Sequence, residues 1–98
     1  MTRPLAFTVQ ASTDVQTAIE WYEAQRPGLG AEFLDVLGFV IAILPDFPLR
    51  GPLVFSNVRR LLLPRFPYAV YYRVQDDQIE IRGCLHQRRA PDSARGRA

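Results

Sequence analysis

The sequence predicts an α+β domain of order β-α-α-β-β-β, in which a helical hairpin packs on one face of a mostly antiparallel sheet. Three observations carry this. Apolar residues recur at helical spacing through the first half of the chain and at every second position through much of the second half. A Pro-Gly-Leu-Gly segment divides the helical half, and an Asp-Asp turn divides the strand half. The length, 98 residues, gives room for one hydrophobic core only.

The first element is a short strand within Leu5 to Gln10, where Phe7 and Val9 share one side. Ser12-Thr13-Asp14 then supplies a helix start, with Thr13 and Gln16 as a capping box. Val15, Ala18, Ile19 and Tyr22 follow at helical spacing, so one stripe of this helix faces a core. Arg26-Pro27-Gly28-Leu29-Gly30 stops it, and a second helix runs from about Ala31 to Leu44 before Pro45. Its stripe of Phe33, Leu37, Val40, Ile41 and Leu44 is ordinary. Val36, Phe39 and Ile43 add a second apolar stripe, which is either buried deeper in the domain or a docking surface for another chain.

After a Pro- and Gly-bearing loop from Asp46 to Pro52, Asn57 to Leu63, Tyr68 to Val74 and Gln78 to His86 read as strands. A two-residue turn at Asp76-Asp77 pairs Val74 with Ile79, Tyr72 with Ile81, Val70 with Gly83 and Tyr68 with Leu85. That set is apolar or glycine throughout, so its face meets the helices. The opposite face pairs Arg73 with Glu80, Tyr71 with Arg82 and Ala69 with Cys84, and ends at His86. Either Arg59 or Arg60 joins it from the preceding strand.

Composition narrows the class. Hydrophobic residues make up 48% and charged residues 22%, which excludes a disordered chain. A single cysteine, Cys84, excludes a disulfide framework and a Cys-based zinc site. No secretory signal follows Met1-Thr2-Arg3-Pro4, and the apolar run from Val36 to Leu44 is too short to span a bilayer. The expectation is therefore one cytoplasmic domain over residues 1–91, with a basic flexible tail over 92–98. All twelve basic residues are arginine, and seven lie between Arg59 and Arg89. Guanidinium forks suit phosphate and carboxylate oxygens, although a GC-rich genome would also favour arginine.

The exposed sheet face gathers Tyr71, Arg73, Arg82 and His86, with Arg59 or Arg60 alongside and Arg88-Arg89 beyond. It is a candidate surface for an anionic or acidic partner, or a solvated face held by cross-strand pairs such as Arg73 with Glu80. His86 is the single histidine. Metal-free RNA cleavage needs a base, an acid and cations, and arginine supplies only the last near neutral pH. As a nuclease the chain would have to rely on Arg82, His86 and Arg88 or Arg89. No metal site, P-loop, dinucleotide fingerprint or nucleophile elbow is present, so no cofactor is expected.

Several segments in order resemble the RelE/ParE superfamily of type II toxin–antitoxin toxins, over about Phe7 to Pro91. They include Ala18-Ile19-Glu20-Trp21-Tyr22-Glu23, Phe33-Leu34 and Asn57-Val58-Arg59-Arg60. The most telling are Arg65 to Val74 and Cys84-Leu85-His86-Gln87-Arg88-Arg89-Ala90-Pro91. The resemblance implies a cytoplasmic growth-arresting toxin, neutralised in a hetero-oligomer by a cognate antitoxin; the extra stripe of Val36, Phe39 and Ile43 is then expected to be covered by that antitoxin or by a second copy of the chain. The resemblance also implies either gyrase inhibition, as in the ParE branch, or ribosome-dependent mRNA cleavage, as in the RelE branch. The best-known nucleases of the superfamily have an arginine where Ala69 follows Tyr68, lysines on the preceding strand and a tyrosine near the C-terminus. This chain departs at each point, which favours the ParE branch and a protein target.

Overall fold

The computed structural model describes residues 3–88; Arg89 and the expected tail over 92–98 lie outside the described residues. The elements are β1 (Leu5–Phe7), α1 (Val9–Gln25), α2 (Leu29–Ile41), β2 (Leu53–Phe55), β3 (Val58–Leu62), β4 (Tyr68–Val74) and β5 (Ile79–His86). They form one five-stranded sheet of order β1-β5-β4-β3-β2. β1 runs parallel to β5, and every other pair is antiparallel. The α+β class and the helical hairpin stand, with the short edge strand β2 added to the expected order.

Helix α1 begins earlier than expected. Thr8 is its N-cap, the hydroxyl accepting the Ala11 N–H at 3.0 Å. Thr13 and Gln16 therefore sit inside the helix and form no capping box. The helical path buries Ala11 completely in the core. That burial outweighs the local alternation of Phe7 and Val9, and the strand shrinks to three residues.

The turn into α2 depends on two glycines. Gly28 occupies the N-cap with φ 90°, a conformation open to glycine. It has no side chain to cap with, and Glu23 of α1 substitutes, its carboxylate accepting the Gly28 N–H at 2.9 Å and the Gly30 N–H at 3.0 Å. A Cβ on Gly30 would lie 2.8 Å from the Ile19 carbonyl oxygen, so glycine sets how closely the helices approach. α2 ends at Ile41 and passes into turns before Pro45, short of the expected Leu44. Proline disfavours helical backbone at the residue before it and offers no N–H to continue the ladder.

Phe33, Leu44, Tyr72, Ile79 and Ile81 are fully buried between helices and sheet. The rings of Tyr22, Phe33, Phe66 and Tyr68 meet at 4.9–5.9 Å between centroids, mostly edge to face. Tyr72 also fastens the loop before β2. Its hydroxyl accepts the Gly51 N–H at 2.8 Å and donates to the Pro48 carbonyl at 2.9 Å. Burial pushes this hydroxyl above its usual pKa, so it keeps the proton it donates.

The β4–β5 register corrects the expected one. Val74 pairs with Ile79, Arg73 with Glu80 and Tyr72 with Ile81, as the Asp76-Asp77 turn requires. A bulge then absorbs Arg82, and the pairs become Tyr71 with Gly83, Val70 with Cys84, Ala69 with Leu85 and Tyr68 with His86. The expected pairs Val70–Gly83, Tyr68–Leu85, Tyr71–Arg82 and Ala69–Cys84 do not form. The extra residue exchanges the faces of all that follow. Cys84 joins the helix-side core, while Leu85 joins Val58, Ala69 and Tyr71 in a second cluster on the far face, under Phe55. Beyond Phe7 no strand among the described residues flanks the outer edge of β5, and α1 takes over that edge. Thr8 donates its N–H to the Ile81 carbonyl at 3.0 Å, and Asp14 accepts the Cys84 N–H at 3.1 Å.

Candidate functional site

The face of the sheet away from the helices carries an arginine cluster around one carboxylate. Tyr71 and Arg73 come from β4, Glu80 and Arg82 from β5, and β3 adds the residue opposite Tyr71, which is Arg60. This settles which neighbour shares the face. Arg59 lies opposite Tyr72 on the helix side, where its Nη1 donates to the Gly51 carbonyl at 2.9 Å. It is a loop fastener and takes no place in the cluster.

Glu80 receives Arg73 at 3.2 Å and is also bonded by Arg82. All three side chains are less than one-third exposed. One carboxylate serves two guanidiniums, so the cluster keeps a net positive charge with Arg60 beside it. Arg73 Nε is buried without a hydrogen-bond partner. Val58, Ala69, Tyr71 and Leu85 form an apolar floor beneath the charges. Such a surface can hold carboxylates or phosphates in fixed positions.

His86 is not part of it. The bulge turns His86 to the helix side, where its ring stands edge-on to Tyr68 at 5.4 Å. Its Nδ1 accepts the Arg88 backbone N–H at 3.1 Å, which leaves Nε2 to carry the proton of the neutral ring. Arg88 itself is exposed. Cys84 is buried, and that burial, with Asp14 nearby, pushes its thiol up to about 12. It is a small core residue with no thiolate to offer.

On α2, Phe39 is 78% exposed, while Val36 and Ile43 are half-buried. The second stripe is therefore open to a partner. The loop after α2 extends it with exposed Phe47 and Leu49. Sequence reasoning missed a further feature, a cleft of about 400 Å³ lined by Trp21, Tyr22, Pro67, Tyr68 and His86. The signal was Trp21, a large aromatic residue lying off the Val15-Ala18-Ile19-Tyr22 stripe.

Among the described residues no His, Cys, Asp or Glu side chains group in a way that could hold a metal. No helix among them is long and apolar enough to cross a membrane. Residues 5–91 match the family model described as ParE toxin of type II toxin–antitoxin system, parDE. No curated protein sequence is significantly similar. The fold is similar to a chain of a chromosomal ParDE toxin–antitoxin system from P. aeruginosa, with a TM-score of 0.78 and 21% identity, covering 87% of this chain and 96% of that one. The family-model match spans every element from β1 to β5 and runs through the arginine-bearing strands, and on it this chain belongs to the ParE toxin family of type II toxin–antitoxin systems.

Proposed function

We propose that this ParE-family toxin acts by binding, with DNA gyrase as its target, and that a cognate antitoxin neutralises it. The observation that carries the reading is the division of labour imposed by the bulge at Arg82. Arg60, Arg73 and Arg82 stand on one face, and His86 stands on the other beside Tyr68. General acid–base cleavage of RNA needs a proton carrier within hydrogen-bond reach of the same phosphodiester that the cations hold. The described part of this face offers Glu80, which is engaged by Arg73 and Arg82, and Tyr71, which is buried beside Phe55. Tyr71, Arg60, Arg73 and Arg82 form the proposed target surface, read best as a rigid contact for an acidic protein surface, while Arg88 follows His86 on the helix side and Arg89 lies outside the described residues. Exposed Phe39, with half-buried Val36 and Ile43 beside it, is the proposed antitoxin contact.

The test is purified toxin with gyrase and supercoiled DNA, run beside programmed ribosomes. The expected result is inhibited supercoiling with intact mRNA, abolished by Arg82→Glu and little changed by His86→Ala. Codon-specific mRNA cuts that fall about 100-fold in His86→Ala, with gyrase unaffected, would establish the RelE-like endoribonuclease reading instead.

A further inference from the structure

The cleft between the C-terminal half of α1 and the β4 end of the sheet has a chemistry opposite to that of the arginine face. Its walls are rings. Trp21 meets Tyr22 edge-on at 5.0 Å, Tyr22 meets Tyr68 at 5.9 Å, and Tyr68 meets His86 at 5.4 Å. Tyr22 and Tyr68 are braced from behind by Phe33, and Tyr22 by Phe66 as well, so these walls are fixed in advance. Trp21 is 56% exposed and leaves the mouth open. A second groove continues from the first, sharing Tyr68 and His86 and adding Asp14 and Thr17.

The carboxylate that lines the adjoining groove is Asp14, and both helices are acidic. Helix α1 carries Asp14, Glu20 and Glu23, helix α2 carries Glu32 and Asp35, and neither contains an arginine. Of the cations near the walls, Arg26 and Arg65 are both bound to Glu32, at 3.0 and 2.7 Å, and Arg65 lies over Phe66, while Arg88 follows His86 at the mouth. Aromatic faces attract a cation through their quadrupole, most strongly where it is partly desolvated. The Asp14 carboxylate in the adjoining groove adds to that attraction. A neutral apolar anchor would use the rings but not the acidic helix.

We infer that this cleft is a docking site for a cationic side chain, an arginine presented by a partner protein, with Trp21 and Tyr68 as the ring contacts and Asp14 as the nearby carboxylate. It is separate from the proposed target surface, and the toxin would then take an anionic partner on the sheet and a cationic one beside α1. Binding here does not depend on gyrase being the target.

The chain has a single tryptophan, so indole emission reports on the cleft alone. Full-length toxin is titrated with N-acetyl-arginine amide, its uncharged citrulline and norleucine counterparts, and uridine monophosphate. The expected result is a saturable change in Trp21 emission with the arginine compound, and binding about ten-fold weaker for citrulline. Asp14→Asn keeps an oxygen for the Cys84 N–H and should weaken arginine binding several-fold, with an unchanged circular dichroism spectrum. If that variant fails to fold, the arginine–citrulline comparison on the unaltered chain still decides. Equal binding of all three amides would make the cleft a plain apolar dent, and preference for the nucleotide would make it a base-stacking platform. Either result, or no saturable binding at all, overturns the inference.

Discussion

Replacing Tyr72 with phenylalanine removes one oxygen and leaves the ring in place. That oxygen accepts the buried Gly51 N–H and donates to the Pro48 carbonyl, which ties the segment before β2 to the centre of the sheet. The Gly51 donor would lose its partner in a closely packed site, where a Cβ on Gly51 would lie 2.5 Å from the Arg60 carbonyl oxygen. An orphaned buried amide costs about 1–3 kcal/mol, and the Pro48 carbonyl, which is only part-buried, adds at most about 1 kcal/mol. The expected loss is about 2 kcal/mol, or roughly 10 °C in Tm for a domain of this size. Urea denaturation of Tyr72→Phe should show a lower midpoint with an unchanged slope. Arg59 grips the same glycine through its carbonyl, so Arg59→Met combined with Tyr72→Phe should be non-additive by about 0.5 kcal/mol or more. A Tm within about 1 °C of the parent chain would refute the reasoning, because a change that small is far below the cost of an orphaned amide.

Cys84 should resist iodoacetamide in the folded chain at neutral pH and react once the chain is unfolded in urea; alkylation at equal rates in both states would contradict its burial and raised pKa. Glu32 has its pKa lowered by hydrogen bonds from Arg65 and Arg26, so its contribution to stability is present above the ordinary value of 4.5 and is lost as pH falls through the lower folded value. Thermal melts of the parent and of Glu32→Gln should therefore differ at neutral pH and converge in acid, and a gap that persists in acid would assign the effect to packing. Phe39→Glu should leave Tm nearly unchanged, because the ring is 78% exposed, and should weaken antitoxin binding at least about ten-fold. If the same change unfolds the domain, the stripe is core.

The sheet was legible in the sequence up to Ile81 and not past it. Val74, Tyr72, Ile79 and Ile81 alternate with Arg73 and Glu80, so a slip there would bury charge, and polarity alone sets the register. Around Arg82 that constraint disappears. Ala69, Val70, Cys84 and Leu85 are all apolar, and the far face has its own small cluster to receive Leu85. Both registers bury apolar atoms, and hydrophobic matching cannot choose between them. Gly83 was the available cue, since glycine inside a strand often marks a bulge. The face of His86 followed from the missed bulge. The start of α1 was hidden for a different reason: Thr8 caps adequately, but the residues after it alternate like a strand, and the burial of Ala11 decides the matter only in three dimensions. The cationic surface was legible as a group of arginines and imprecise in membership, because a neighbouring pair such as Arg59-Arg60 always sends one side chain to each face.

The parallel pairing of β1 with β5 also sets when the arginine face is completed during synthesis. Thr8 and Arg82, linked by a hydrogen bond, are 74 residues apart along the chain. The helical hairpin needs only neighbouring residues and can form while synthesis continues, whereas contacts of long sequence separation form late and slowly. The arginine surface draws on β3, β4 and β5, and both the outer edge of β5 and the cover of the sheet depend on β1 and α1. A nascent or truncated chain that lacks β5 therefore exposes an acidic hairpin and no assembled cationic face. The arginine face proposed as the target surface is complete only with the last strand, and an antitoxin that recognises the hairpin would meet its binding surface before that.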